Sequence, residues 1–179
     1  LGELHLERGN ETEAIKYLKE AASISPDDSA RQISLGKLYT KNNFLDEAEK
    51  AFQHAIKSDP KNAELQTQIG EIYLEHGLAE KAVEAFRGSL GLNETVHVYN
   101  RLGIALRRKA RYKEAVEEYK KALRVEPENE VICYNLGRAL LEDNQKNDAI
   151  GAFRKALELN PDFSEAKEIL DKLTSPMSA

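Results

Sequence analysis

A Leu-Gly or Ile-Gly pair returns along this chain at Leu1-Gly2, Leu35-Gly36, Ile69-Gly70, Leu102-Gly103 and Leu136-Gly137, in steps of 34, 34, 33 and 34 residues. A fixed period of this length restricts the fold to repeat architectures, in which one small unit buries its apolar face by stacking on the next. Other residues keep the same beat. Twelve positions after each glycine stands an alanine: Ala14, Ala48, Ala82, Ala115 and Ala149. Four further on comes a large residue (Leu18, Phe52, Phe86, Tyr119, Phe153), and three beyond that a small one (Ala21, Ala55, Ser89, Ala122, Ala156). Four of the five units close with a proline at one offset, namely Pro26, Pro60, Pro127 and Pro161.

Offsets of four and three place side chains on one face of a helix. Each period therefore reads as two antiparallel helices of about a dozen residues, which approach closely where glycine and alanine stand, while the aromatic side chain fills the space between neighbouring units. Gly9, Asn43, Gly77 and Asn144 share the position between the two helices, where a left-handed residue suits a tight turn; Ala110 takes it in the remaining unit and implies strain there. The closing proline removes a backbone donor and stops the second helix. Ser29 with Gln32 reads as a capping box for the helix that follows. Composition agrees: 41% apolar residues supply a core, and Leu, Ala, Glu and Lys are the usage of helices.

This pattern resembles the tetratricopeptide repeat, which runs Trp, Leu-Gly, Tyr, Ala, Phe, Ala, Pro across 34 positions. The resemblance covers Leu1 to Phe163. It implies an all-α fold, a right-handed superhelical solenoid of antiparallel helix pairs. The units expected are a truncated first repeat over 1–28, repeats over 29–62, 63–95, 96–129 and 130–163, a capping helix over 164–173 and a frayed tail over 174–179, all in one domain. Two departures stand out. The Trp position holds Gln32, Gln66, Tyr99 and Cys133, and the third repeat is one residue short with Glu94 in place of its proline, which makes the next joint the irregular one. Leu1 enters at the seventh place of the pattern, so the chain is expected to be a fragment that has lost an N-terminal neighbour.

Charge and motif content narrow the function. A net charge of −5 argues against nucleic acid as partner, no run of about 18 apolar residues spans a membrane, and no signal segment opens the chain, so a cytoplasmic setting is expected. His5, His54, His76 and His97 pair with no other ligand at metal spacing, and His54 and His76 read as exposed. The single Cys133 occupies a leading core position and reads as packing rather than as a nucleophile. No catalytic residue, metal site or cofactor is expected, and the chain does not read as an enzyme.

The resemblance implies instead that the leading helices line a concave groove that holds a peptide or helix of a protein partner. Carried over by position, the inward-facing residues are Ala30, Ile33, Lys37, Thr40 and Lys41 in the second repeat and Glu64, Thr67, Glu71, Leu74 and Glu75 in the third. The fourth contributes His97, Asn100, Ile104, Arg107 and Arg108, and the fifth Val131, Tyr134, Arg138, Leu141 and Glu142. Charge is uneven: the fourth repeat has nine basic against five acidic residues, the third two against six. The groove candidates singled out are Lys37, Lys41, His97, Asn100, Arg101, Ile104, Arg107, Arg108, Tyr134 and Arg138, with an acidic partner segment expected near Arg107, Arg108 and Arg138 and Tyr134 as an aromatic anchor. The bland alternative for Arg107 and Arg108 is a cationic helix end complementing the helix dipole. The Lys, Asn, Asn, Lys and Arg of a chaperone-tail clamp would fall on Ile33, Lys37, Gln68, His97 and Arg101, of which only Arg101 matches. Competing readings are self-assembly into homo-oligomers by repeat stacking and a regulatory arm of a larger protein whose catalytic part lies upstream.

Overall fold

Side-chain caps start the leading helices and left-handed residues end them. The computed structural model describes residues 5, 8, 10–24 and 28–175, the side chains of 11, 21 and 22 excepted. Among them run ten helices: α1 (Glu11–Ile24), α2 (Ser29–Lys41), α3 (Leu45–Ser58), α4 (Ala63–Glu75), α5 (Ala79–Leu92), α6 (Val96–Arg108), α7 (Tyr112–Val125), α8 (Glu130–Glu142), α9 (Lys146–Leu159) and α10 (Ser164–Thr174). The leading helices α2, α4, α6 and α8 are capped by Asp28, Asn62, Thr95 and Asn129, whose side-chain oxygens accept from the backbone N–H three residues on at 2.9–3.2 Å. Asp28 corrects the expectation for α2: Ser29 is the first helical residue, not the cap. A carboxylate one residue earlier accepts from the Arg31 N–H, and Gln32 is buried instead.

Between the helices of each pair the chain reverses through one left-handed residue: Asn43 (φ 61°), Gly77 (75°), Ala110 (56°) and Asn144 (61°). The following N–H then donates back to a carbonyl of the last helical turn, as in Phe44 N to Tyr39 O at 2.9 Å and Arg111 N to Leu106 O at 2.9 Å. That six-to-one bond closes a Schellman turn and satisfies carbonyls the helix leaves open. The expected strain at Ala110 is present, because its Cβ must sit in the left-handed region.

The repeated positions are the core. Ala48, Ala82, Ala115 and Ala149 are 0% exposed, and Phe52, Phe86, Tyr119 and Phe153 are at most 2% exposed. Each ring lies on the glycine of its own helix pair: a Cβ at Gly103 would stand 2.5 Å from Tyr119 Cζ, and one at Gly137 2.7 Å from Phe153 Cε1. This changes the expected role of the aromatic, which seals its own pair before it reaches a neighbour, because only glycine leaves room for a ring against the helix backbone. Phe52 does also meet Tyr73 of the next pair, edge-on at 5.1 Å. Cys133 is buried, and burial pushes its thiol above the usual range. His54 and His76 are exposed. Leu1, Gly2, Gly9, the Ala21 side chain, Pro26 and the tail after Ser175 lie outside the described residues.

The chain divides into two compact units between Leu92 and Asn93, at the one-residue-short joint; the first holds α1 to α5 and the second α6 to α10. In the second unit α10 covers α9 through the fully buried Ala166, with Ile169, Leu170 and Leu173 half-buried on the same stripe.

Candidate functional site

In the second unit, α6 and α8 are both leading helices and run beside one another, so residues three or four apart on each face a shared space. Ile104, Arg107 and Arg108 of α6, Tyr112 of α7, and Asn135, Arg138 and Glu142 of α8 line a pocket of about 470 Å³. Arg107 is held at its wall by Glu142 through two bonds, Nε to Oε2 at 3.0 Å and Nη2 to Oε1 at 2.8 Å. The side chain of Arg107 is only 11% exposed. Burial works against the Arg107 charge, but the hydrogen bonds and charge of Glu142, with Tyr119 beside it, outweigh burial and raise its pKa above the ordinary arginine value. Asn135, itself buried, donates to Asn100 Oδ1 at 2.9 Å, which fixes the amide at the pocket edge.

Four of the singled-out residues thus come together: Ile104, Arg107, Arg108 and Arg138. The others are placed differently. His97 is exposed on the first turn of α6, and Arg101 is half-buried one turn on. The Tyr134 ring packs inward on Phe163 at 4.8 Å and Phe153 at 5.8 Å, with the Arg138 guanidinium carbon 5.9 Å from its centre. Tyr134 therefore orients Arg138 from below. Lys37 and Lys41 are exposed on α2 in the first unit. Thr40, Thr67 and Leu74, also carried over as inward-facing, are buried; the Thr40 hydroxyl donates to Gly36 O at 2.8 Å and Thr67 Oγ1 lies 2.8 Å from Ser89 Oγ. Sequence reasoning missed Tyr112 and Asn135. Tyr112 follows the left-handed turn, where a helical-face argument does not reach, and Asn135 sits one place beyond the expected fifth position.

Chemically, the pocket brings the guanidinium groups of Arg107, Arg108 and Arg138 together beside the Glu142 carboxylate. Guanidinium forks match carboxylate and phosphate oxygens in pairs. Among the described residues no group of three or more His, Cys, Asp or Glu side chains is placed to hold a metal ion, and no helix is long and apolar enough to cross a membrane.

Capped antiparallel helix pairs on a 34-residue beat define an all-helical repeat protein. Residues 5–67 match the family described as tetratricopeptide repeat, and residues 64–174, more than half of the chain, match the tetratricopeptide repeat protein 21 C-terminal ARM domain. The chain belongs to the tetratricopeptide-repeat family. Among curated relatives, 50 residues are 48% identical to human protein arginine N-methyltransferase 9, covering 28% of this chain and 6% of that protein. A 66-residue stretch is 33% identical to the peroxisomal targeting signal receptor of Saccharomyces cerevisiae, covering 37% of this chain and 11% of the receptor. The chain thus spans a small part of the relatives it matches. Among solved structures, MamA superposes with a TM-score of 0.69 at 21% identity, over 92% of this chain and 97% of MamA, which shows the shared fold.

Proposed function

We propose that this array is a protein-binding scaffold that grips an acidic segment of a partner against α6 and α8. The observation that carries the reading is the convergence of the Arg107, Arg108 and Arg138 side chains on one pocket between α6 and α8. Glu142 already holds Arg107 as a partner carboxylate would, so the pocket displays the geometry it offers to an incoming one. The match to a targeting-signal receptor supports a role in holding a protein segment.

The test is fluorescence anisotropy with a labelled peptide rich in Asp and Glu. Arg108→Glu with Arg138→Glu weakens binding at least ~10-fold while far-UV circular dichroism is unchanged, and binding to the unaltered chain falls with added salt. Equal affinity in the reversed variant sinks the acidic-segment reading.

The methyltransferase match favours a second reading, in which such an array is the partner-holding arm of a longer chain. Methylation of protein arginine by a longer chain that contains the array, lost on deleting the array, supports it; methylation that survives the deletion refutes it.

A further inference from the structure

At the repeat position where α6 carries Tyr99, α4 carries Gln66, and where α7 carries Lys121, α5 carries Gly88. Tyr99 is 5% exposed and belongs to the core of the second unit, with the Lys121 ammonium 6.0 Å from its ring centre. In the third repeat the same two positions hold neither a ring nor a long stem. The Gln66 carboxamide lies on the bare backbone of Gly88, where a Cβ would overlap its oxygen. Gln66 borders a cleft of about 570 Å³ formed by α3, α4 and α5. The floor of the cleft is apolar, with Phe52, Ile69 and Tyr73 each at most 6% exposed, and Ile56 and Ala85 beside them.

Two of the floor residues are rings already set against each other: Phe52 and Tyr73 meet edge-on, with centres 5.1 Å apart and planes at 78°. A third ring adds to such a pair through its edge or an offset face and gains more than its buried area, whereas an aliphatic side chain gains the area alone. The volume falls within the roughly 300–1,000 Å³ of pockets that enclose small apolar groups. A second cleft, of about 320 Å³, is built from the same positions one repeat earlier: Gln32, Leu35, Tyr39 and Ala51 stand there as Gln66, Ile69, Tyr73 and Ala85 stand in the larger one. Both clefts lie in the first unit. Like clefts repeated along the chain suit a polypeptide, which can present side chains to both, better than a free small molecule.

We propose that the α3–α4–α5 cleft is a docking site for an aromatic side chain of a partner protein, which supplies from outside the ring that Tyr99 supplies from within in the fourth repeat. The ring rests on Phe52, Ile69 and Tyr73, and the partner's backbone stays at the rim. The site lies wholly in the first unit and stands independently of the acidic-segment reading.

The experiment is an amide-resolved NMR titration of the full chain with the peptide acetyl-Gly-Phe-Gly-amide. Shifts gather in residues 52–56, 66–73 and 81–85. The same peptide with cyclohexylalanine in place of phenylalanine, apolar but without a π system, binds roughly 3- to 10-fold more weakly. Gln66→Tyr, in imitation of Tyr99, fills the cleft and abolishes these shifts, and Ile56→Glu, at a half-buried position of the floor, weakens binding at least ~10-fold. Circular dichroism checks folding; if Gln66→Tyr does not fold, Ile56→Glu decides alone. Equal or tighter binding of the cyclohexylalanine peptide, binding unchanged by either folded variant, shifts confined to residues 93–175, or no shifts at millimolar peptide each overturn the proposal.

Discussion

Replacing a helical glycine by alanine should stabilise or destabilise this protein according to what lies above it, and two glycines of the second unit separate the cases. Gly151 sits inside α9 with nothing within 4 Å of where a Cβ would stand. Gly151→Ala therefore expresses only the backbone preference of alanine in a helix, about 1 kcal/mol in favour of folding. At Gly103 the added Cβ meets Tyr119 Cζ at 2.5 Å, Cε1 at 2.6 Å and Cε2 at 3.0 Å. Carbon atoms prefer about 3.5–4.0 Å, so three contacts overlap by roughly 0.5–1.5 Å. The ring is 0% exposed and cannot swing into solvent, so the helices must part. Overpacking of this kind costs about 1–3 kcal/mol; taking the upper end and subtracting the helix preference leaves Gly103→Ala about 2 kcal/mol less stable than the parent. Urea unfolding followed at 222 nm measures both, with the slope checked for a change in cooperativity. A Tyr119→Leu change in the Gly103→Ala background should recover part of the loss, as coupled neighbours do. If Gly103→Ala raises the midpoint as Gly151→Ala does, the seating of the ring on the glycine is wrong, and with it the account of how each pair closes.

Ala110→Gly should stabilise the protein by about 0.5–1 kcal/mol, since relief of the left-handed Cβ exceeds the extra chain entropy of glycine; a lower thermal midpoint would contradict the turn geometry. Burial pushes the Tyr119 phenol up to about 12, with Arg107 pulling the other way, against about 10 in an unfolded chain. The folded state keeps a proton the unfolded state gives up, so stability is full below about pH 10 and is lost as pH rises through about 12. Tyr119→Phe should lose less stability than the parent over that window, measured by urea midpoints from about pH 9 to 12; parallel declines would show a phenol that is not buried.

The period by itself determined the helices, the turn positions and the core. Sites such as Ala115 and Tyr119 recur because two helices must touch there in every unit, and a constraint repeated five times is visible without coordinates. The left-handed turns at Asn43, Gly77, Ala110 and Asn144 were legible for the same reason. The capping of α2 was misread because Ser29 and Asp28 are both capping residues, and only the backbone geometry chooses between neighbours.

Tertiary structure decided what depends on pairing between helices. Sequence reasoning placed Arg107 in the groove but could not show that Glu142, 35 residues away, holds it there, or that Tyr134 packs on Phe163. Nor could spacing show that Gln66 would border an open cleft where Tyr99 fills its seam. A repeat fixes which face of a helix is buried, because that follows from 3.6 residues per turn. Which long side chain meets which across a seam depends on register and on the size of both partners, and those are set only when the helices have packed.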